Sequence, residues 1–366
     1  MLGVAEIVRL HAEAYLRQYG SSLSSVQKRA LRDISTCRTP LLGGHVYQCG
    51  HCQEKIFSYH SCRNRSCPKC HPAQTQRWID KQRRRLPACS YFLVTFTLPS
   101  ELRPLARSHP KKIYSLLMKA AADALQKLAA DPRYLGARLG ALAVLHTWTR
   151  AMLFHPHVHM LVTAGGLTSD GQTWIEPKYS KFLVPDPALS IIFRAKFCDG
   201  LKKAGLLSHS PVSVWKKNWV VHSQHAGRGD KVLDYLARYL FRIAISNSRI
   251  ESIDNSTVRF RYRDNRSQQI RRVTLTGVEF IARFLQHVLP RGATKVRNYG
   301  IFSPSSKSML ARACQLLPQL SPPAEFSSTL PPAIEPTLTV PVWPTCPLCR
   351  TGTLVLIGPV ERSRSP

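Results

Sequence analysis

The sequence predicts an α+β fold: an antiparallel sheet with flanking helices, preceded by a small zinc-ribbon-like module. Three observations carry that prediction. Runs rich in β-branched and aromatic residues, separated by short turns, read as antiparallel strands. Between them lie runs of good helix formers with apolar residues spaced for one helical face. Finally, six of the eleven cysteines fall within residues 37–70.

In chain order, residues 4–33 read as helical, with Val4, Ile7 and Val8 followed by Leu23, Val26, Ala30 and Ile34, and a break at "YGSS". A cysteine- and histidine-rich segment runs from Cys37 to His71, and "QRWIDKQRRRL" (76–86) is a short, strongly basic helix candidate. "YFLVTFTLP" (91–99) is a buried strand that stops at Pro99. Helical periodicity returns over 111–129. "ALAVLHTWTR" (141–150) and "HVHMLVTAGGL" (157–167) form two strands joined by a short turn around Pro156. Residues 212–222 are a further strand or pair of strands, and 230–245 are a helix with Asp230 at its N-cap. "TVRFRYRD" and "QIRRVTLT" make a hairpin, and "GVEFIARFLQHVL" returns to helix. From Pro318 a Pro/Ser/Thr-rich linker leads to a terminal "CPLC" at 346–349. The expected domains are a helical segment over 1–36, a zinc-binding domain with its basic helix over 37–87, a catalytic domain over 88–303 and a tail over 304–366.

Composition narrows the partners. In 366 residues, 52 Lys and Arg stand against 21 Asp and Glu, a net charge of +31. Such an excess releases counterions from a polyanion, which points to nucleic acid. A membrane surface is disfavoured because no apolar run approaches the ~20 residues of a spanning helix. The opening residues read as an amphipathic helix without a signal-peptide pattern, so a cytoplasmic, nucleoid-associated protein is expected.

In a reducing compartment clustered cysteines imply metal. Cys49-Gly-His-Cys52 and Cys67-Pro-Lys-Cys70 are two C-x-x-C knuckles spaced as in a four-cysteine zinc ribbon. Cys37, His45 and Cys62 suggest a second zinc ion, with His60 or His71 as fourth ligand. The neighbouring Arg77, Arg83, Arg84 and Arg85 suit DNA docking. Cys346 and Cys349 have no local partners and stay unassigned.

Residues i and i+2 of a strand share a face, so His157 and His159 point the same way and suit one divalent ion. His146 or His155 is a candidate third ligand. On the 230–245 helix, Tyr235 and Tyr239 are spaced i, i+4 and project from one face, beside Arg238 and Arg242. A metal held by two histidines polarises a DNA phosphate. A tyrosine then attacks the phosphorus, giving a covalent 5′-phosphotyrosine and a free 3′-hydroxyl.

Carrying these features, the chain resembles the two-tyrosine HUH transposases of bacterial insertion sequences that move by rolling circle. The matching stretches are "CRTPLLGGH", "SCRNRSCPKC", "HPHVHMLVTAGGL", "YLARYLFRIAISNSRI" and "EFIARFLQHVLPRGATKVRNYG". The resemblance implies an HUH endonuclease domain with His157 and His159 as ligands of Mg²⁺ or Mn²⁺ and Tyr235 and Tyr239 as nucleophiles. It also implies a structural zinc domain, and as substrates single-stranded DNA with folded hairpins at element ends, and target DNA. Ser66 and His60 depart from the family's usual His and Asn at those positions. Another HUH nuclease, or a non-enzymatic zinc-dependent nucleic-acid-binding protein, is the competing reading.

Overall fold

The computed structural model describes residues 2–70, 78, 82, 85–179, 183–228, 232, 243–264, 267–317 and 345–363. The chain forms two compact units, residues 1–71 with 321–366, and residues 72–320.

The first unit begins with α1 (Val4–Tyr19), which buries Val4, Ile7, Val8 and Tyr15, and α2 (Ser25–Ser35), which buries Ala30, Leu31 and Ile34 against it. Ser24 and Gln27 form a reciprocal capping box that starts α2 where the sequence pattern breaks. A three-stranded antiparallel sheet follows. Its central strand β1 (Gly44–Cys49) pairs on one side with β2 (Lys55–Tyr59) and on the other with the last strand of the chain, β12 (Leu354–Val360). The tail expected over 304–366 is therefore divided: its end belongs to this first unit, and residues 318–344 lie outside the described residues.

The second unit is built on an antiparallel sheet of order β11-β4-β5-β3-β7. Its strands are β3 (Ser90–Thr97), β4 (Arg138–Trp148), β5 (Phe154–Leu167), β7 (Val221–Arg228) and β11 (Val296–Gly300), with the short β6 (Trp174–Ile175) paired to β5. One face is covered by α3 (Arg103–Ser108), α4 (Pro110–Ala129) and α5 (Asp186–Lys203). Phe92, Val94 and Phe96 of β3, Ala141, Ala143 and Leu145 of β4, and Val158, Met160 and Val162 of β5 point into this core. The alternate residues Tyr91, Leu142, Val144 and Leu161 face the other side, where Ile301, Phe302, Val232 and α8 (Lys307–Leu316) pack. A Cβ on Gly200 of α5 would strike the Leu116 side chain of α4, so glycine there permits the close α4–α5 approach. The short α6 is Ser213–Lys216. A separate antiparallel sheet orders β8 (Ile250–Ile253), β9 (Thr257–Arg263) and β10 (Ile270–Thr276), and α7 (Gly277–Leu285) follows behind a second capping box, Thr276 with Glu279.

The α+β class, the helix over 111–129 and the 257–276 hairpin stand as the sequence indicates. Two elements differ. Residues 212–222 hold α6 and only the start of β7, which runs on to Arg228. The β4–β5 turn lies at residues 149–153, where Thr149 donates its N–H to Leu153 and Met152 donates to Thr149, with Met152 left-handed at φ 60°. Pro156 sits inside β5 at a register irregularity: between the pairs His146↔His157 and Trp148↔Phe154, β4 contributes one residue and β5 two. A bulge needs no donor from the extra residues, so proline is tolerated there.

Candidate metal centres

β5 is the middle strand of its sheet, and β4 and β3 flank it. His146 lies directly opposite His157 in the β4–β5 register, and His159 follows two residues on, so all three share the face opposite α4 and α5. One ligand nitrogen from each lies within 4.8 Å of the others. The ring centroids of His146 stand 5.4 Å from His157 and 4.8 Å from His159, and Trp148 stacks on His146 at 4.7 Å.

Neighbouring groups set the orientation of the rings. His157 Nδ1 is 2.7 Å from the His155 carbonyl oxygen. A carbonyl only accepts, so Nδ1 carries the proton and Nε2 keeps its lone pair for a metal. His159 Nδ1 is 3.0 Å from Oγ1 of Thr95, its direct partner in the β3–β5 register. Burial pushes the His157 pKa down, which holds it in the neutral form that ligates.

Of the two candidates for a third member, His146 joins this group and His155 does not. The bulge at Pro156 displaces His155 from the cross-strand pairing, and the Arg103 guanidinium donates to its Nδ1 at 2.7 Å. Burial first, and then His157 and Arg103, bring the His155 pKa down to about 4. An arginine donor there competes with any cation for the same lone pair.

Eight thiols gather into two clusters, Cys37 with Cys62, Cys67 and Cys70, and Cys49 with Cys52, Cys346 and Cys349. This corrects the expected grouping of Cys49 and Cys52 with Cys67 and Cys70. Cys49 ends β1, about 17 Å along the strand from Gly44 at ~3.3 Å per residue. β2 then carries the chain back: His60 donates its N–H to Gly43 O, and Arg38 N–H donates to His60 O. Cys62, Cys67 and Cys70 thus arrive beside Cys37, at the other end of the hairpin from Cys49. Cys70 Sγ is 3.6 Å from both Cys37 Sγ and Cys62 Sγ. Hydrogen bonds from Cys62 and Cys67 hold the Cys37 thiol far down, at about 2, while the same contacts raise Cys62. A bound Zn²⁺ stabilises all four as thiolates. His45 joins neither cluster and packs edge to face on His60 at 5.2 Å between centroids.

Tyr235, Tyr239, Arg238, Arg242, Arg77, Arg83, Arg84 and His71 lie outside the described residues, and Arg85 is half-buried. The sequence reading passed over another basic surface. Arg259, Arg261 and Arg263 occupy alternate exposed positions of β9, and Arg272 of β10 stands directly opposite Arg261. Glu251 accepts from Arg272 at 2.9 Å. The signal was the R-x-R-x-R alternation within the recognised hairpin. Like charges placed opposite each other on adjacent strands are unfavourable unless an anion joins them.

Residues 7–98 match the model described as "Transposase zinc-binding domain" and residues 140–309 match the one described as "Putative transposase". "Putative transposase y4qJ" of Sinorhizobium fredii is 38% identical, the alignment covering 97% of this chain and 94% of that protein. "Transposase for insertion sequence element IS801" of Pseudomonas savastanoi pv. phaseolicola is 30% identical over 79% of this chain and 73% of that protein. No solved structure matches. An antiparallel α+β unit joined to a cysteine-rich unit, with these matches along nearly its whole length, defines a DNA-cleaving transposase that carries its own zinc-binding domain. The chain belongs to the IS91 family of insertion-sequence transposases.

Proposed function

We propose that this transposase cuts and rejoins single-stranded DNA at the ends of an insertion sequence by rolling circle, through 5′-phosphotyrosine intermediates on Tyr235 and Tyr239. The observation that carries the proposal is the convergence of His146, His157 and His159 on the central strands. The donor set fits a divalent ion, because burial and the His155 carbonyl hold His157 neutral with Nε2 available. Bound there, the ion supplies Lewis-acid polarisation of the scissile phosphate. An all-imidazole set favours Mn²⁺ over Mg²⁺, which prefers oxygen ligands.

In the step itself a tyrosine Oη attacks phosphorus. The Oη–P bond forms, the P–O3′ bond breaks, and the phenolic proton passes in net terms to the leaving 3′-oxygen. The second tyrosine, four residues on in the sequence, accepts a second strand while the first remains attached. Val232, three residues before Tyr235 in the sequence, is buried with Tyr91, Leu142 and Leu161 on the sheet face that also bears the histidines, which supports this reading. The arginines of β9 and β10 suit the phosphate backbone, with Cys37, Cys62, Cys67 and Cys70 holding structural zinc.

The test is incubation of the protein with a single-stranded oligonucleotide from an element end and Mn²⁺, followed by a denaturing gel. The expected result is a covalent adduct that disappears in Tyr235→Phe/Tyr239→Phe and in His157→Ala/His159→Ala. An adduct that persists in the double tyrosine variant refutes the mechanism.

A further inference from the structure

The terminal Cys346-Pro-Leu-Cys349 falls far outside the residues 7–98 that match the zinc-binding family model, yet its thiols meet those of Cys49 and Cys52. Cys49 Sγ lies 3.7 Å from Cys349 Sγ, and Cys52 Sγ lies 3.8 Å from Cys346 Sγ. Four sulfurs at ~2.3 Å from a tetrahedral zinc ion are ~3.8 Å apart along each edge, so the spacing is that of a Zn(Cys)₄ site. A disulfide would need ~2.05 Å.

The two knuckles share the same turn, with amide donors on the first sulfur of one and the second sulfur of the other. The N–H groups of His51 and Cys52 point to Cys49 Sγ at 3.4 and 3.5 Å, and that of Gly352 points to Cys349 Sγ at 3.3 Å. Such amide donors stabilise sulfur that carries negative charge. Each knuckle turns through a left-handed residue directly after its second cysteine, Gln53 at φ 61° and Arg350 at φ 60°. Backbone bonds close both turns, Gln53 N–H to Cys49 O and Arg350 N–H to Cys346 O. A Cβ on Gly352 would collide with Cys49 Sγ, so glycine there leaves space for the sulfur. The β1–β12 ladder, from Gly44↔Val360 to Cys49↔Leu354, carries the second knuckle to the first.

We propose that Cys49, Cys52, Cys346 and Cys349 bind a second structural zinc ion, which clasps the C-terminal strand onto the N-terminal zinc-binding domain and makes one module from both ends of the chain. A domain defined by residues 7–98 alone holds half of this site.

Zinc content of the purified full chain tests the clasp. The measurement is made in the His157→Ala/His159→Ala background, which removes the histidine centre's claim on the ion. Two zinc ions per chain are expected there, and one after the further change Cys346→Ser/Cys349→Ser or Cys62→Ser/Cys67→Ser. Retention of two ions by the Cys346→Ser/Cys349→Ser chain, or only one ion in its parent, overturns the proposal. Titration of the metal-free parent chain with Co²⁺ gives an answer that depends on no cysteine variant. The thiolate-to-cobalt absorption should grow to two equivalents, and saturation at one refutes the second site.

Discussion

Replacing Thr95 with valine removes one hydrogen bond and almost nothing else. The two side chains are nearly isosteric, and Thr95 stands directly across the β3–β5 ladder from His159 with Oγ1 3.0 Å from Nδ1. That contact helps hold the rotation of the imidazole. Partners of this kind behind a ligating histidine are worth roughly 10- to 100-fold in metal affinity. At ~1.4 kcal/mol per tenfold, the expected loss is about 1.4–2.8 kcal/mol of binding free energy. The assay is calorimetric titration of Mn²⁺ into wild type, Thr95→Val and Thr95→Ser, each checked for unchanged thermal unfolding. Thr95→Val should bind at least tenfold more weakly, and Thr95→Ser, which keeps the hydroxyl, should stay near wild type. If Thr95→Val binds within twofold of wild type while folded, His159 does not ligate through a ring held in this way. Equal weakening in the serine variant would place the effect in packing instead of the hydrogen bond.

Three other perturbations have definite expected outcomes. Burial lowers the His287 imidazole to about 4, with Arg107 also opposing its charge, while Met152 O accepts from Nε2 and Thr147 Oγ1 lies 3.2 Å from Nδ1. The folded state therefore favours neutral His287, so its contribution is complete above the unfolded value of ~6.5 and is lost as pH falls from there toward 4, about 3 kcal/mol in all; urea unfolding at pH 7.5 and 5 should show a shallower pH dependence in His287→Gln, and an identical slope would refute the assignment. Phe193 packs edge-on against Phe96 at 5.0 Å and Trp219 at 5.1 Å with no exposed surface; Phe193→Ala should cost about 3–5 kcal/mol by denaturant unfolding, and a loss under 1 kcal/mol would show that this core relaxes around the cavity. Arg261→Ala/Arg263→Ala should flatten the salt dependence of single-strand binding by ~0.7 in log–log slope for each phosphate no longer neutralised, whereas an unchanged slope places the phosphates elsewhere.

Some of the centre could be read from local sequence and some could not. The pair His157 and His159 follows from the two-residue strand period alone. His146 is eleven residues upstream, and only the β4–β5 register and the position of the turn put it opposite His157. Placing that turn at Pro156 treated proline as punctuation, whereas the chain accommodates it in a bulge, which also removes His155 from the set. The cysteines failed for a related reason. Knuckle spacing identifies which thiols come in pairs, but pairs combine through the strands that carry them, and β1 places its two ends too far apart for one ion. The 111–129 helix and the 257–276 hairpin needed no such long-range information, because period and capping are local.

The candidate metal groups share a constructional logic with a consequence for how the protein can fail. Each has a local part set by spacing: His157 with His159, Cys49 with Cys52, Cys67 with Cys70. Each is completed from a distance. His146 comes through the β4–β5 ladder, Cys346 and Cys349 through β1–β12, and Cys37 through the His60–Gly43 and Arg38–His60 bonds that close the β1–β2 hairpin onto the end of α2. A slip of one residue in a ladder turns every side chain to the opposite face. In β4 such a slip would send His146 toward the helical core and bring Leu145 or Thr147 opposite His157. The apolar core facing α4 and α5 opposes it, because Ala141, Ala143 and Leu145 would leave that core together. At ~25 cal/mol per Å² of apolar surface, exposing even one of them fully costs on the order of 1 kcal/mol or more. The hydrophobic face of the sheet therefore enforces the alignment of the histidines on its other face, and substitutions in β4 that never touch a ligand should still change metal binding when they weaken that register.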